Sequence, residues 1–210
     1  MVVVAAQKNK TTATAVLLSA GSGTRFSGSS HKLLTQIFGK SVFAWSLQNL
    51  LEAEFQQIII VTGAIDLSDE INKATANCSN NQTDLCVVEN INWHDGMASS
   101  LQCGLAEAQR LGANSVVVGL ADQPAVKPAS WRRVANSQSP IAVATYNGVR
   151  GNPVRLHAEL WPLLPTTGDE GARNLFRSHK DLLEEVACDG SGQDLDTTND
   201  IDVLSKLLSK

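Results

Sequence analysis

Positive charge, aromatic rings, proline, paired cysteines and long apolar runs are all scarce in this 210-residue chain, and each shortage closes off a class of protein. Lys and Arg number 17 against 21 Asp and Glu, a formal net charge of −4. No basic surface is therefore expected for gripping nucleic acid or an anionic membrane. No apolar run approaches the roughly 18 residues that span a bilayer. Six prolines and a hydrophobic share of 43% exclude fibrous and disordered chains. The cysteines, Cys78, Cys86, Cys103 and Cys188, form no C-x-x-C pair and lack zinc-site spacing. Reduced thiols in a cytoplasmic protein are the expectation. Met1–Thr12 carries Lys8 and Lys10 without the apolar core and small-residue cleavage site of a secretion signal, and reads as a loose N-terminal extension. The rest, 13–210, has the length of one domain with one sizeable core.

What the sequence does have is alternation. Short apolar runs at Ala13–Ser19, Gln57–Val61, Leu85–Val88, Ser115–Gly119 and Ile141–Thr145 read as strands buried on both faces. Between them, Val42–Ala53 and Ser99–Leu111 carry apolar residues at helical spacing. This order predicts an α/β fold, a Rossmann-like three-layer domain with a mostly parallel sheet. Such sheets bind ligands beyond the carboxyl ends of their strands, which places the chemistry just after Ser19, Val61, Val88 and Gly119. After about residue 147 the pattern turns irregular, with short helices near Ala158–Leu164 and Gly171–Ser178. A last amphipathic helix is expected over Asp200–Leu208, with Asn199 as its cap. The polar stretch Ala76–Asp84 reads as a surface loop.

The first strand runs into Ser19-Ala20-Gly21-Ser22-Gly23-Thr24-Arg25, and Lys32 follows in His31-Lys32-Leu33. Small residues let successive backbone N–H groups close on phosphate oxygens, while Arg25 and Lys32 add charge suited to a polyphosphate. Neither common nucleotide motif fits. Gly21, Gly23 and Gly28 miss the final spacing of G-x-G-x-x-G, and no G-K-[ST] follows.

The run L-S-A-G-x-G-x-R-F-x(6)-K-L-L over Leu18–Leu34 resembles the MobA-like nucleotidyltransferases. Gly96-Met97-Ala98-Ser99-Ser100-Leu101 with Gly104-Leu105 is similar to that family's G-M-x-x-S-L-x-x-G-L, and Ala121-Asp122-Gln123-Pro124 to its metal-binding D-x-P. Gly151-Asn152-Pro153-Val154, Gly168-Asp169-Glu170-Gly171-Ala172-Arg173 and Asp194-Leu195-Asp196-Thr197 resemble blocks of one branch, the molybdenum cofactor cytidylyltransferases. The resemblance implies a nucleotide-diphospho-sugar transferase-like fold. It also implies CTP and molybdopterin as substrates, and a molybdoenzyme or its chaperone as recipient of the product. Ser19, Ala20, Gly21, Ser22, Gly23, Arg25, Lys32 and Ser100 are then the nucleotide-binding set, with Arg25, Lys32 and Asp122 catalytic. Gly151, Asn152, Asp169 and Arg173 fall to the acceptor, within a part of the chain spanning about 147–198.

Read for chemistry, Asp122 ends a strand where a carboxylate can hold Mg²⁺ (or Mn²⁺) against triphosphate oxygens, or else form an Asx-turn or helix cap. Asp194 and Asp196 lie two apart, so an extended segment points both to one face, and either can supply a second metal ligand. Ser99 and Ser100 sit where hydroxyls and free helix N–H groups can meet a base edge. Arg150, Arg155 and Arg173 are available to a second anion. His31, His94, His157 and His179 form no triad, and Trp93 is a candidate to line the site. Two rivals stand beside cytidylyl transfer: a guanylyl or other NTP transferase of the same fold, and a non-catalytic cofactor-insertion chaperone. The run Ala20-Gly21-Ser22 lacks the extra glycine usual in the guanylyl branch, and the presence of Arg25, Lys32 and Asp122 disfavours the chaperone.

Overall fold

The computed structural model describes residues 13–24, 26–28, 30–76 and 83–209. In chain order it runs β1 (Thr14–Leu18), a small hairpin of β2 (Gln36–Ile37) and β3 (Lys40–Ser41), α1 (Val42–Leu51), β4 (Gln57–Thr62), α2 (Ser68–Ala76) and β5 (Asp84–Glu89). Then come α3 (Met97–Arg110), β6 (Ser115–Leu120), α4 (Pro128–Ala135), β7 (Ile141–Tyr146), β8 (Val149–His157), α5 (Arg173–Ser178), β9 (Leu183–Ala187) and α6 (Asp200–Leu208). The main sheet has seven strands in the order β5-β4-β1-β6-β8-β7-β9. All its neighbours pair in parallel except β8, which is antiparallel to both β6 and β7.

Strand period explains the layering. Ala15, Leu17, Ile58, Ile60 and Val117 point to one face, where Phe43 and Leu47 of α1 and Trp131 and Val134 of α4 cover them. Val16, Leu18, Ile59, Val61, Val116 and Val118 point to the other, against Leu101 and Leu105 of α3 and Leu175 and Phe176 of α5. Every residue of β1 is buried, as a strand sandwiched between two helical layers must be. Gly104 lets α3 sit close on this sheet, since a Cβ there would come within 2.7 Å of Val16.

Three elements escape the sequence pattern. The stretch after residue 147 is not irregular throughout, for β8 and β9 both lie there. In β8 only Pro153, Val154 and Leu156 are buried, and Arg150, Gly151, Asn152 and Arg155 interrupt the apolar signal. A register shift between Val143 and Ala144 further blurs its pairing with β7. Strand β9 is a sheet edge whose Glu184 and Glu185 hide its character. Helix α2 buries only Ile71 and so shows no periodic stripe. At α6, Asn199 occupies the cap position but makes no side-chain bond to the helix. The Asp200 carboxylate does the tying, accepting from Thr197 N at 2.7 Å and Asp196 N at 3.2 Å.

Among the described residues no helix is long and apolar enough to cross a membrane, and Cys86, Cys103 and Cys188 are free, partly buried thiols. Cys78, most of the Ala76–Asp84 loop and the expected N-terminal extension lie outside the described residues.

Candidate active site

The carboxyl ends of β1 and β6 are neighbours in the sheet, so the loop after β1 and the turn after β6 face one crevice. Ser19 does not face it with a free hydroxyl. Both its N–H and Oγ–H donate to the Val61 carbonyl, at 2.9 and 2.7 Å, closing β1 onto β4. Ala20 is buried, and its carbonyl accepts from Ala64 N at 3.0 Å. The open part of the loop is Gly21–Thr24, where Gly23 takes a left-handed φ of +63°. His31 staples it. Its Nδ1 accepts from Leu33 N at 3.2 Å, so Nε2 carries the proton and donates to the Gly21 carbonyl at 3.1 Å. Burial lowers the His31 pKa, which suits a neutral ring in this role. Arg25 lies outside the described residues.

Lys32, Asp122, Asp194 and Asp196 converge. Lys32 Nζ lies 2.5 Å from Asp122 Oδ2 and 3.7 Å from Asp196 Oδ1. The Asp122 turn is anchored from α1, where Ser46 Oγ donates to the Ala121 carbonyl at 2.8 Å and Asn49 Nδ2 to the Pro124 carbonyl at 2.8 Å. Gln123, which the sequence reading passed over, is buried and ties the turn to the C-terminal segment. Its Nε2 donates to Gly192 O at 3.0 Å and Asp194 Oδ1 at 2.5 Å, while Leu195 N donates to Asp122 O at 2.9 Å. Fully buried Leu195 is the peg between the two aspartates.

This cluster carries more negative charge than Lys32 offsets. Burial, then the Asp122 charge, pushes the Asp194 carboxyl up to about 6. Asp122 Oδ1 is buried without a hydrogen-bond donor. A crowded carboxylate set with an orphaned oxygen fits a hard divalent cation. Among the described residues no three His, Cys, Asp or Glu groups converge closely enough to hold a metal alone. A cation here must therefore take part of its shell from another molecule, as Mg²⁺ does from nucleotide phosphates.

The raised Asp194 pKa gives a stability test. Below pH ~4 the carboxyl is protonated in both folded and unfolded chains and stability is unaffected. Between pH ~4 and the folded value of about 6 the unfolded chain ionises this carboxyl while the folded chain keeps it protonated, so stability falls across that window and the loss is complete above it. Asp194→Asn is thus expected to melt above wild type at pH 7.5 in EDTA, with the difference vanishing below pH ~4. Equal melting at both pH values would show that Asp194 ionises without penalty.

The start of α3 closes the crevice from the β5 side. Gly96 has φ +96°, and a Cβ there would sit 2.7 Å from the Gly168 backbone. The first helix donors are taken: Met97 N by Asp169 Oδ1 at 3.0 Å and Ala98 N by the Gly168 carbonyl at 2.8 Å. Those N–H groups are not free for a base edge, and Asp169 is a cap reaching across from the loop before α5. Ser100 is buried and bonded to Asn90, a second residue the sequence reading missed. An Asn directly beyond an apolar strand run, seven residues before a helix start, was the available signal. Trp93 packs beside Gly63 and Ala20, where a Cβ on Gly63 would lie 2.9 Å from Trp93 Cβ.

Below α3 and α5 opens a pocket of about 330 Å³ with an aliphatic floor of Leu18, Val118, Leu120 and Val143, lined also by Gly151, Asn152 and Arg173. Arg173 has no ion-pair partner among the described residues. Arg150 also lines the pocket but is held by Glu185 at 2.6 Å. Arg155 is absent from the lining; its Nη1 donates to the Ser139 carbonyl at 2.5 Å within the sheet. Of the arginines considered for a second anion, the structure leaves Arg173 available.

The model of the MobA-like NTP transferase domain matches residues 15–182. The chain is 25% identical over 199 residues to the purine catabolism protein PucB of Bacillus subtilis (strain 168), covering 92% of this chain and 96% of that protein. It is similar to the solved structure of a nucleotidyl transferase from Methanothermobacter thermautotroptrophicus, with 23% identity, a TM-score of 0.74, and 92% and 95% of the two chains covered. It is also similar to Rv0371C of Mycobacterium tuberculosis H37Rv, solved in complex with manganese, with 28% identity, a TM-score of 0.70, and 92% and 97% covered.

Proposed function

The chain belongs to the MobA-like NTP transferase domain family, and from that premise we propose that this nucleotidyltransferase moves CMP from CTP to the terminal phosphate of molybdopterin or its molybdenum-bearing form, releasing pyrophosphate in the cytoplasm. The observation that carries the reading is the convergence of Lys32 and Asp122 with Asp194 and Asp196, beside the Gly21–Thr24 loop. In this reading residues 13–210 act as one domain, with about 147–198 serving the acceptor.

The acceptor phosphate attacks the α-phosphorus in line, its oxygen forming the new P–O bond as the bond to pyrophosphate breaks. No protein nucleophile is required, and none is arranged among the described histidines and cysteines. Catalysis is positioning and charge neutralisation. Backbone N–H groups of Ala20–Gly23 cradle the triphosphate, with Arg25 as a forked donor. Lys32 exchanges its carboxylate partners for phosphate oxygens. Arg173 holds the acceptor's phosphate, and the aliphatic floor supports its ring system. A Mg²⁺ or Mn²⁺ ion held by Asp122 with Asp194 or Asp196 would supply the remaining neutralisation at the triphosphate. The manganese complex of the M. tuberculosis relative supports a divalent ion in this fold.

The experiment is a panel of CTP, GTP, UTP and ATP against molybdopterin, with the dinucleotide product identified by mass. CTP is expected to exceed GTP by more than tenfold in kcat/KM, a discrimination of at least ~1.4 kcal/mol. Equal turnover of GTP would reject the cytidylyl assignment, and no turnover of any NTP would favour the chaperone reading.

A further inference from the structure

We propose that Asn90 is a positioning residue for base selectivity, acting by forcing the Ser100 hydroxyl to donate rather than accept; this rests on the cytidylyl-transfer reading and on Ser100 belonging to the nucleotide-binding set that the family resemblance implies. Asn90 and Ser100 are each only 5% exposed, so neither can leave a polar atom to bulk water. Asn90 stands directly beyond β5, and its own N–H extends the ladder to the Thr62 carbonyl at 2.8 Å. Its side-chain orientation is not free. Asn90 Oδ1 accepts from Asn92 N at 3.0 Å, and a backbone N–H can only donate, so the amide oxygen must face that way. The NH₂ group therefore faces α3, donating to Ser99 Oγ at 2.9 Å and Ser100 Oγ at 3.0 Å.

Both serine oxygens are thus acceptors toward Asn90, and each hydroxyl proton must go elsewhere. For Ser99 the destination is local, with the Gly96 carbonyl at 2.8 Å and the Asn92 carbonyl at 2.9 Å. Ser100 has no such second partner among the described residues, and in the proposal its proton is the one offered to the nucleobase. A hydroxyl fixed in this sense recognises an acceptor. Cytosine N3 offers a lone pair there, whereas uracil N3 carries a hydrogen and would leave two donors opposed. A site that opposes like groups rejects the wrong ligand strongly. The sequence of constraints runs from the Asn92 N–H through the Asn90 amide to the Ser100 hydroxyl, and only the last member touches the base.

Asn90→Asp tests this because it keeps the shape while replacing the donor by an acceptor. Both serine protons would then turn toward the carboxylate, and Ser100 would present lone pairs to the base. The measurement is the ratio of CTP to UTP dissociation constants by titration calorimetry, which needs no acceptor substrate. An added negative charge weakens both nucleotides alike and leaves the ratio alone. We expect Asn90→Asp to shift the ratio toward UTP by at least tenfold, and Ser100→Ala to shift it less. In a Ser100→Ala background, Asn90→Asp should leave it within twofold. A thermal melt accompanies each variant; Ser100→Ala lies in a helix where Ala is well tolerated, so the comparison survives a poorly folded Asn90→Asp. An unchanged ratio in folded Asn90→Asp, or equal shifts with and without Ser100, overturns the proposal. A wild type that binds GTP as well as CTP rejects the cytidylyl assignment instead, and the same variants compared on CTP and UTP still decide the role of Asn90.

Discussion

Asp122→Asn is expected to give a folded protein that has lost at least a hundredfold in kcat at every Mg²⁺ concentration tested. Asparagine keeps the size of the side chain and its ability to hold a turn. The backbone contacts of this turn are untouched: Leu195 N still meets the residue-122 carbonyl, and Ser46 still holds the Ala121 carbonyl. Lys32 loses its 2.5 Å partner but keeps Asp196. Removing the Asp122 charge also relieves part of the repulsion that pushes the Asp194 carboxyl up. Gain and loss in folding therefore offset, and the melting temperature should move by only a few degrees. What cannot be offset is affinity for a hard cation. Asp122 Oδ1 is buried without a donor, and in the proposed metal role a neutral amide is a weaker ligand than a carboxylate. Loss of charge stabilisation at a transferring phosphoryl group falls on the scale of a lost oxyanion donor, roughly 10²–10³ in rate. The measurement is initial rate against Mg²⁺ concentration, with a melt on the same sample. Wild-type turnover at limiting Mg²⁺ would return Asp122 to the role of a turn-forming residue.

How much of this was legible beforehand divides along a physical line. The strands β1, β4, β6 and β7 were readable because burial on both faces demands unbroken apolar runs; the apolar run Leu85–Val88 also marks β5, but that strand is a sheet edge with no buried residue rather than one buried on both faces. Strand β8 was not, because its pairing is enforced by β6 and β7 while its own residues include Arg150, Gly151, Asn152 and Arg155. The site shows the same division. Lys32, Asp122, Asp194 and Asp196 were readable as charged residues at strand ends or in short motifs, and the fold brings them together. Gln123, Asn90 and His31 do their work through a few directed hydrogen bonds, which depend on where a partner lies, ten residues away for Asn90 and His31 and 71 for Gln123. No periodicity records such a bond. Asp169 shows the converse: a carboxylate in a loop suggests ligand binding, and the structure adds a cap contact that no spacing records, with Asp169 Oδ1 accepting from the first N–H of α3.

Lys32 should prove the most consequential single side chain, since its removal acts on folding and on chemistry at once. Its side chain is 14% exposed and that of Asp122 15%, so the pair is largely desolvated. Lys32→Met keeps the length and the apolar stem but leaves Asp122 with two oxygens and no donor beside an already strained Asp194. Breaking a buried pair from one side costs about 3–5 kcal/mol, which for a chain of this size lowers the melting point by roughly 6–20 °C. In the proposed mechanism the same change removes a point charge from the triphosphate, with an expected fall in kcat of roughly 10²-fold or more. The two losses separate in a double variant. Adding Asp122→Asn to Lys32→Met removes the unpaired charge, and replacing both members of a buried pair is often neutral. Melting should therefore recover toward wild type while activity stays at or below that of either single variant. Recovery of both would mean that Lys32 serves only to neutralise Asp122 and never reaches the nucleotide. Recovery of neither would place the stabilising contact with Asp196, which lies 3.7 Å from the ammonium and which the double variant leaves charged.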